Sequence, residues 1–502
     1  MRKKSLICKI KDALSPGNRL FVPVVAVFGL TLVSCAQDDL TGELFSSDVT
    51  NTTLASPGVN DISITPTTDN ARTIISWKVV HGASSYDCKV YDVTNESEPV
   101  VLLDSIVDGV SFTVERAEDT NYKFAIRTLA NTEVGNADAP EATEVSFTTF
   151  VSSFATIPEG DLYAYFQENP IPAETTEEIC YDLVPGGNYT VSQALDFGGS
   201  KVTLRCTNKF NKPTVTLGEN ANLQTYAPMT LKNLKIDAAA AVKTPVIALS
   251  KTPDEAIKGA TGGGDFYNII GGSIYLTNCD FVNVTDKMFY DNEVRYCVET
   301  FMMDNCTVQL ATAEANISGQ AMFYLKSGFI KDITIKNSTW YNTTEFASKY
   351  FIQYNNSGRI DRAGYDKNSQ TQSVNMINNT FYNVCSNNDS QWCNYGGFNG
   401  QKYTNFEVTG NIWYECTPNG GGIARRICGG RGASSYGKCI FNNNTYWVKG
   451  VSETGYESYD TGLVLQTDPA FANPANGDFT PTGAEQLQYK TGDPRWIPLN
   501  NN

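Results

Sequence analysis

One short pattern repeats six times between Ile274 and Tyr446 and constrains the fold more than any other feature of the chain. Each copy has two apolar residues separated by one mixed position, followed by a polar turn. We number each copy from the first turn residue, called position zero. Position zero is Asn278, Asn305, Asn337, Asn378, Gly410 and Asn443. The steps between copies are 27, 32, 41, 32 and 33 residues, which indicates loops of variable size.

The two apolar positions form complete columns across all six copies. Two residues before zero stand Leu276, Met303, Ile335, Met376, Val408 and Phe441, and four before zero stand Ile274, Phe301, Ile333, Val374, Phe406 and Cys439. This alternation is typical of strands with one buried face. A single coil cannot bury that face alone, so stacked coils are expected. The pattern predicts a right-handed parallel β-helix in which the position-zero amides hydrogen-bond along the axis. A β-sandwich or propeller with chance similarity is the alternative.

The first 34 residues read as an export signal. Arg2, Lys3 and Lys4 precede an apolar run from Phe21 to Val33, too short for a membrane span. The run ends in Leu32-Val33-Ser34-Cys35, which resembles a bacterial lipobox and implies lipidation of Cys35. The following acidic pair, Asp38 and Asp39, resembles the surface-export signal of lipoproteins from Bacteroides-like bacteria. An ordinary signal peptide with a chance cysteine is the alternative.

Charge and cysteine content narrow the possible partners. Removing residues 1–34 leaves 32 basic against 53 acidic side chains, a formal charge of −21, so nucleic acid is not expected as a partner. Eleven cysteines remain besides Cys8 and Cys35, and at least one of them must stay unpaired. Cys279 and Cys306 share one position in consecutive coils and are predicted to stack as a buried ladder or bridge. Because the only histidine is His81 and no CxxC pair exists, structural thiols are expected rather than zinc.

Short segments at 74–79, 82–86, 122–127 and 145–149, before the repeats, read as strands and together resemble a fibronectin type III domain. Trp77 is expected in its core, and Tyr122 is expected to pin a corner of the sandwich. We expect it to act as a spacer rather than a binding module. The predicted order is a signal peptide (1–34), a flexible tether (35–55), a fibronectin type III-like domain (56–149), a linker (150–178) with a short helix near Leu162–Gln167, and a parallel β-helix with a closing segment (179–498).

The closing segment contains two motifs that carry a further resemblance. Asp468-Pro469-Ala470-Phe471 and Gly492-Asp493-Pro494-Arg495-Trp496 resemble the end of pectate-lyase-like β-helix proteins. That resemblance implies an extended polysaccharide in a groove beside one sheet, with long loops as walls. The Gly-His-Gly and Arg-x-Pro-x-x-Arg signatures of hydrolases and lyases on this fold are absent.

Two loops, 358–369 and 418–438, are basic against an acidic background and are expected to bind uronate carboxylates. Two nearby aromatic residues are expected to stack on sugar rings. The alternative is that these basic residues are ordinary solvated loop charges and that the aromatic residues lie at the rim without a binding role. The predicted substrate-binding residues are Arg359, Arg362, Tyr365, Lys367, Trp392, Tyr395, Arg425, Arg426 and Arg431.

No catalytic residue can be assigned. Calcium is expected only if the protein is a lyase. Asp304 and Asp332 are predicted to lie too far apart to share an ion, and Asp304 is predicted to pair with Lys336 on the next coil.

The sequence thus predicts an outer-membrane, lipid-anchored protein that faces the cell exterior. Its expected role is to bind an acidic, pectin-like polysaccharide within a polysaccharide-utilisation system, with other proteins of glycan uptake as possible partners. An active polysaccharide lyase is the first alternative, and a structural or adhesive surface protein is the second.

Overall fold

The structure is a computed structural model of the 502-residue chain. It describes residues 49–67, 71–172, 177–259, 265–312, 321–355, 358–386, 392–416, 422–429, 431–449 and 460–498. The predicted signal peptide, Cys35 and most of the predicted tether lie outside the described residues. Within the described ranges, no helix combines the length and the apolar character needed to cross a membrane.

The chain divides into two compact units. The first comprises the described residues up to 89 together with 103–114 and 124–145, and the second comprises 90–102, 115–123 and everything from 146 onward. The region before residue 149 contains a three-stranded and a four-stranded sheet. Their strands are Ile62–Pro66, Arg72–Trp77 and Ser111–Glu115 in the first sheet, and Val100–Val107, Ala83–Asp92, Asn121–Ala130 and Thr143–Thr148 in the second.

Aromatic packing follows the prediction in this sandwich region. The buried ring of Trp77 lies 5.2 Å from Tyr86 and 6.0 Å from Phe124, measured between centroids. The hydroxyl of Tyr122 accepts a hydrogen bond from the amide of Ala117 at 2.9 Å. Kinship with fibronectin type III domains stays a prediction.

The end of the predicted tether is ordered. Leu54 is buried, and its amide donates to the carbonyl of Ala137 at 3.0 Å. The prediction of a flexible tether is therefore wrong for residues 49–55, because this apolar side chain and its backbone join the first unit.

Three long sheets with parallel strand pairs form the β-helix. The ten-stranded sheet consists of Ala155–Ile157, Ile179–Leu183, Val202–Arg205, Met229–Lys232, Tyr267–Thr277, Tyr296–Asp304, Phe329–Lys336, Gln372–Ile377, Thr404–Thr409 and Lys438–Asn442. The eleven-stranded sheet consists of Gly160–Asp161, Asn188–Val191, Thr214–Leu217, Lys235–Asp237, Asp280–Val284, Thr307–Leu310, Thr339–Asn342, Thr380–Tyr382, Ile412–Tyr414, Asn444–Trp447 and Val464–Leu465. The seven-stranded sheet consists of Leu195–Asp196, Leu223–Thr225, Ile247–Leu249, Phe289–Tyr290, Ala321–Leu325, Tyr350–Tyr354 and Trp392–Asn394.

The predicted apolar columns form vertical files in the ten-stranded sheet. Strand register pairs Leu276 with Met303, Met303 with Ile335, and so on to Phe441. Every member of this file is at most 3% exposed, so the file is the spine of the core. The predicted fold class, a β-sandwich followed by a right-handed parallel β-helix, is confirmed.

The backbone conformation explains why asparagine is common at position zero. All six position-zero residues have positive φ, between 49° and 70°, where asparagine and glycine are tolerated and branched residues are strained. The predicted amide contacts along the axis occur at the first steps. Asn278 donates to Asn233 at 2.8 Å, and Asn305 donates to Asn278 at 3.2 Å.

A second, buried ladder runs one residue further along the chain. The amide side chain of Asn379 donates to Asn411 at 2.9 Å, and that of Asn411 donates to Asn444 at 3.1 Å. Cys279 and Cys306 occupy the same column, and the backbone amide of Cys279 lies 3.5 Å from the sulfur of Cys306. The predicted cysteine ladder is therefore present.

Short helices complete the β-helix. They are α1 (Leu162–Glu168), α2 (Ile423–Ile427) and α3 (Ala484–Tyr489). The predicted helix near Leu162–Gln167 is confirmed by α1. The linker predicted over 150–178 is wrong for residues 155–168, because strands of the first coil and α1 occupy them.

Irregular turns and one small sheet connect these elements. The 3-10 turns in the described ranges are Val59–Asp61, Thr132–Val134, Glu255–Ile257, Ile360–Arg362, Gly396–Phe398, Ala433–Ser435, Pro474–Asn476 and Pro494–Trp496. Phe471–Asn473 and Asp478–Pro481 form a two-stranded antiparallel sheet in the closing segment.

Candidate functional site

Residues 466–498, which we call the strap, cover the outer face of the eleven-stranded sheet over its strands Thr339–Asn342, Thr380–Tyr382 and Ile412–Tyr414. Phe479 of the strap packs on Tyr341 and Tyr382 with ring centroids 5.1 and 5.4 Å apart. Phe471 packs on Tyr414 at 5.4 Å. Since these tyrosines project outward from three consecutive strands, the strap buries the aromatic file that a ligand would otherwise contact.

Polar contacts fix the strap in register. Arg495 donates to the side chain of Asn305 at 3.0 Å and to the carbonyl of Cys306 at 3.2 Å. The backbone amide of Asp493 donates to Thr380 Oγ1 at 3.0 Å. Burial raises the pKa of Asp493, although the neighbouring Arg495 opposes that shift. This face is therefore structural.

The outer face of the ten-stranded sheet carries satisfied polar pairs. Asp304 meets Lys336 at 3.2 Å, as predicted, and Glu407 meets Lys438 at 2.9 Å. Asp332 accepts from Ser373 at 2.7 Å. Strand register places Thr300 beside Asp332 and Asp304 beside Lys336, so Asp304 and Asp332 stand four positions apart in their strands. The prediction that they cannot share an ion agrees with this register.

The outer face of the seven-stranded sheet has a different character. Register places one residue of each strand, directed away from the core, in a single file that we call the outward file: Asp196, Gln224, Ala248, Tyr290, Tyr324, Gln353 and Asn394. Ala248 and Gln353 are buried at their places in this file. The rings of Tyr290 and Tyr324 stack with centroids 5.7 Å apart and an interplanar angle of 16°. Both rings are partly exposed, so together they present a continuous aromatic surface.

Four lysines flank this tyrosine pair. Lys251 and Lys326 follow strands of the seven-stranded sheet, whereas Lys287 and Lys349 precede them, so the lysines lie along both edges. Lys287 contacts the ring of Tyr290 with its ammonium 5.2 Å from the centroid.

Two acidic partners partly neutralise these lysines. Lys326 pairs with Glu293 at 2.7 Å, and Lys287 pairs with Asp286 at 2.9 Å. The hydrogen bonds that Glu293 accepts from Lys326 and Tyr290 lower the pKa of this carboxyl.

Helices stand at both ends of the seven-stranded sheet. In chain order α1 occupies the place of a strand before Leu195–Asp196, and α2 occupies that place after Trp392–Asn394. A helix is about 10 Å wide, roughly twice the strand spacing, so each helix forms a raised end to the sheet. Across its seven strands the face is about 29 Å long.

The predicted basic loops lie along the corner between the seven-stranded and ten-stranded sheets. The loop after Tyr350–Tyr354 carries Arg359 and Arg362, and the loop before Lys438–Asn442 carries Arg431. Residues 395–403 separate them by one coil, and both loops meet this segment. Arg359 and Arg362 both influence the pKa of Tyr403, and a side chain at Gly400 would come within 3.9 Å of Arg431 Nε.

Exposure differs among the predicted basic residues. Lys367, Arg425, Arg426 and Arg431 are exposed, whereas Arg359 and Arg362 are partly buried. Arg359 is held by Asp361 at 2.9 Å. The four exposed residues are therefore the better placed to meet a ligand.

Tyr365 packs inward against the ten-stranded sheet. The ammonium of Lys331 lies 5.6 Å from its ring centroid, and burial raises its pKa. This position favours a role in anchoring the loop over a direct ligand contact.

Trp392 and Tyr395 are not sugar-stacking surfaces, and that prediction is wrong. Both side chains are fully buried. Trp392 packs against Phe351 and Phe381 at 5.1 and 5.2 Å, and Tyr395 packs against Tyr354 at 5.7 Å. The strand Trp392–Asn394 turns these apolar rings into the core, where they fill the space between sheets.

Tyr290 and Tyr324 were not predicted from the sequence. Their strands are short, and the loops before them vary in length, so no fixed spacing relates the two residues. A usable signal exists nonetheless. Each follows a phenylalanine, Phe289 and Phe323, that points inward, which gives both strands the same apolar-then-tyrosine step.

The described part of the chain shows the state of its cysteines and whether its side chains could form a metal site. All eleven cysteines there are free thiols, and ten of them are buried. Among the described residues, no cluster of three or more His, Cys, Asp or Glu side chains could hold a metal ion.

Comparison with known protein families and sequences assigns no activity to this chain. Two family models, each described as a domain of unknown function, match residues 18–186 (DUF4992) and 187–343 (DUF4957). No curated protein sequence matches this chain significantly.

The similar solved structures are bacterial pectate lyases. Pectate lyase PelI from Erwinia chrysanthemi, in complex with tetragalacturonic acid, is 12% identical over 69% of this chain and 83% of that chain, with a TM-score of 0.12. A second PelI structure is 14% identical over 70% and 84%, with a TM-score of 0.15. Pel3 from Pectobacterium carotovorum is 14% identical over 64% and 79%, with a TM-score of 0.14. We draw nothing about activity from these values, and the fold rests on the strand pairing described above.

Proposed function

We propose that this protein is a lipid-anchored surface protein that binds an acidic, pectin-like polysaccharide along the outer face of its seven-stranded sheet. The observation that carries the proposal is the stacked Tyr290–Tyr324 pair between two edges of lysines. Partly exposed aromatic rings offer apolar faces to sugar rings, and the ammonium groups of the exposed Lys251 and Lys326 attract uronate carboxylates, whereas Lys287 is buried against Asp286. Neither feature is needed for the core, which is filled from the opposite face of the same strands.

The basic loops extend this surface toward α2. Lys367, Arg425, Arg426 and Arg431 are exposed on the corner that borders the seven-stranded sheet. Guanidinium groups bind carboxylates through two parallel hydrogen bonds, which suits a repeating uronate polymer. The proposed ligand surface therefore has an aromatic middle and a cationic flank.

Anchoring at Cys35 and exposure at the cell surface complete the proposal. In this arrangement the sandwich region acts as a spacer, and proteins of glycan uptake are the partners that receive the polysaccharide. Replacement of Cys35 by serine should release the protein from the membrane fraction and abolish incorporation of labelled fatty acid. Retention of the label in that variant would contradict lipidation at this residue.

Affinity electrophoresis tests the binding function. The mature protein is run through native gels that contain polygalacturonate, alginate, a neutral glucan or no polymer. Retardation by a uronate polymer, weakened by salt, is the expected result. Equal migration in every gel would overturn the proposal and favour a structural or adhesive role. Incubation with polygalacturonate while absorbance of unsaturated product is followed distinguishes a binding protein, which gives none, from a lyase.

A further inference from the structure

A cavity of about 550 Å³ lies at the α1 end of the outward file. One wall is formed by Tyr163 and Gln167 of α1, and the floor is formed by Asp196, Phe197 and Tyr226 of the first two coils. The volume falls within the range of small-molecule sites. Asp196 belongs both to the cavity and to the file that contains Tyr290 and Tyr324, so the cavity lies on the same face of the sheet as the proposed ligand surface.

The cavity combines aromatic faces with fixed polar groups. Asp196 Oδ1 accepts from the hydroxyl of Ser250 at 2.7 Å and from the amide of Gly198 at 2.9 Å, which holds this exposed carboxylate in place. A Cβ at Gly199 would come within 2.7 Å of the Tyr226 ring, so only glycine lets that ring lie on the backbone. A carboxylate, an amide and tyrosine rings around one space suit the hydroxyl groups and apolar face of a sugar.

We propose that this α1 pocket binds the terminal residue of a polysaccharide chain, so that the protein holds its ligand by an end. The inference rests on the proposed function. Because α1 stands where the next strand would be, a chain lying along the file meets the helix and cannot continue in the same line. A saccharide that reaches Asp196 therefore ends there.

A competition assay at constant mass tests this inference. Polygalacturonate is compared with the same polymer cut to about one-tenth of its length, still long enough to cover the site, as competitors for retardation in the gel. If ends are bound, the half-inhibitory mass concentration falls about tenfold, because the number of ends rises about tenfold. The variants Gln167→Ala and Tyr226→Ala should lose that preference, whereas Tyr489→Ala on the strap should keep it.

Each outcome of this assay is decisive. Equal inhibition by long and short chains, or an unchanged preference in both pocket variants, would overturn end binding while leaving polysaccharide binding in place. If neither polymer retards the protein, the proposed function itself fails, and the inference fails with it. Thermal unfolding of the variants shows whether lost binding reflects a lost fold.

A separate observation concerns two thiols at the other end of the β-helix. Cys428 directly follows the last residue of α2, and Cys439 is the last member of an inward apolar column, with the two sulfur atoms 3.6 Å apart. The hydrogen bond between the two thiols raises the pKa of Cys428 and lowers that of Cys439. The remaining gap to a covalent bond is about 1.5 Å.

The geometry points to a disulfide between Cys428 and Cys439. Each thiol loses one proton and one electron as the S–S bond forms, and a disulfide oxidant such as oxidised glutathione takes both electrons and is cleaved to two thiols. The bond would tie the end of α2 to the ten-stranded sheet and restrain the segment that carries Arg431.

Peptide mapping tests the disulfide. The protein is refolded in oxidised or reduced glutathione, alkylated under denaturing conditions, and digested. The expected result is a linked Cys428–Cys439 peptide after oxidation only, with Cys88 alkylated in both samples as the control. In Cys439→Ser, Cys428 should be alkylated in both samples. Full alkylation of Cys428 and Cys439 after oxidative refolding would overturn the assignment.

Discussion

Asp493 in the strap accepts a hydrogen bond at 2.7 Å from Thr339 in the eleven-stranded sheet, 154 residues earlier in the chain. Trp496 Nε1 donates to the same threonine oxygen at 2.7 Å. Both Thr339 and Asp493 are at most 1% exposed. One hydroxyl thus satisfies a buried carboxylate and a partly buried indole of the strap and fixes the register of the strap on the β-helix.

Replacement of Thr339 by valine, which keeps the shape, should lower the free energy of unfolding by about 2–3 kcal/mol, because a carboxylate and an indole N–H each lose a partner. Urea denaturation of the variant measures this change. Thr334→Val, at a partly exposed site on the ten-stranded sheet, is the matched control and should cost less than about 1 kcal/mol. Equal effects at the two sites would contradict the importance assigned to the strap contact.

Position zero requires a residue that tolerates positive φ. At Asn378, where φ is 54°, glycine should change the free energy of unfolding by less than about 1 kcal/mol. Valine at the same position should cost about 2 kcal/mol or more, because its branched side chain is strained in the left-handed region. Thermal unfolding of the two variants provides the comparison. A valine variant as stable as the glycine variant would show that backbone strain does not select asparagine here.

Asp291 makes stability depend on pH in a direction set by its burial. This fully buried carboxylate, next to Tyr290, accepts from the amides of Ser327 and Gly328 at 2.7 Å. Burial raises its pKa above the ordinary value of 3.8 despite those bonds. Because the folded pKa is the higher one, the stability linked to protonation is complete below about pH 4 and is lost as pH rises through the folded pKa.

The measurement for Asp291 is urea unfolding between pH 3.5 and pH 7, for the wild type and for Asp291→Asn. The free energy of unfolding of the wild type, relative to that of the variant, should fall as pH rises from about 3.5 to about 7. A difference that grows with pH would mean that the carboxylate is stabilised as an anion in the folded protein.

A substitution at Trp392 tests whether this side chain serves the core or contacts the ligand. Trp392→Ala should lower the free energy of unfolding by about 3–5 kcal/mol, since a fully buried ring is removed. The fraction that stays folded should bind polysaccharide as the wild type does. Binding and stability are measured on the same preparation, with Trp392→Phe as the milder control. Weakened binding at unchanged stability would restore the stacking role that its burial argues against.

The sequence permitted prediction of the spine but not of the proposed ligand surface. The files from Leu276 to Phe441 were predictable because alternation in a strand is a local property that survives variable loops. The Tyr290–Tyr324 pair depends instead on how coils of unequal length stack, and a sequence does not show register between short strands. Trp392 was misassigned for the same reason, since the direction of its side chain depends on the strand it joins.

Long-range contacts explain the other differences. The closing segment was predicted, but its position over Thr339 depends on packing between residues more than 150 positions apart. The linker predicted over 150–178 contains Pro158, Pro170 and Pro172. Strand Ala155–Ile157 nevertheless pairs with the next coil, which supplies partners that no local pattern reveals.

The most direct test of the account is the affinity of the double variant Tyr290→Ala/Tyr324→Ala for polygalacturonate, measured by titration calorimetry beside Tyr489→Ala on the strap. Loss of the aromatic surface should weaken binding about tenfold or more, equivalent to about 1.4 kcal/mol, while the strap variant binds as the wild type does. If the folded double variant binds with wild-type affinity, the polysaccharide does not lie on the seven-stranded sheet.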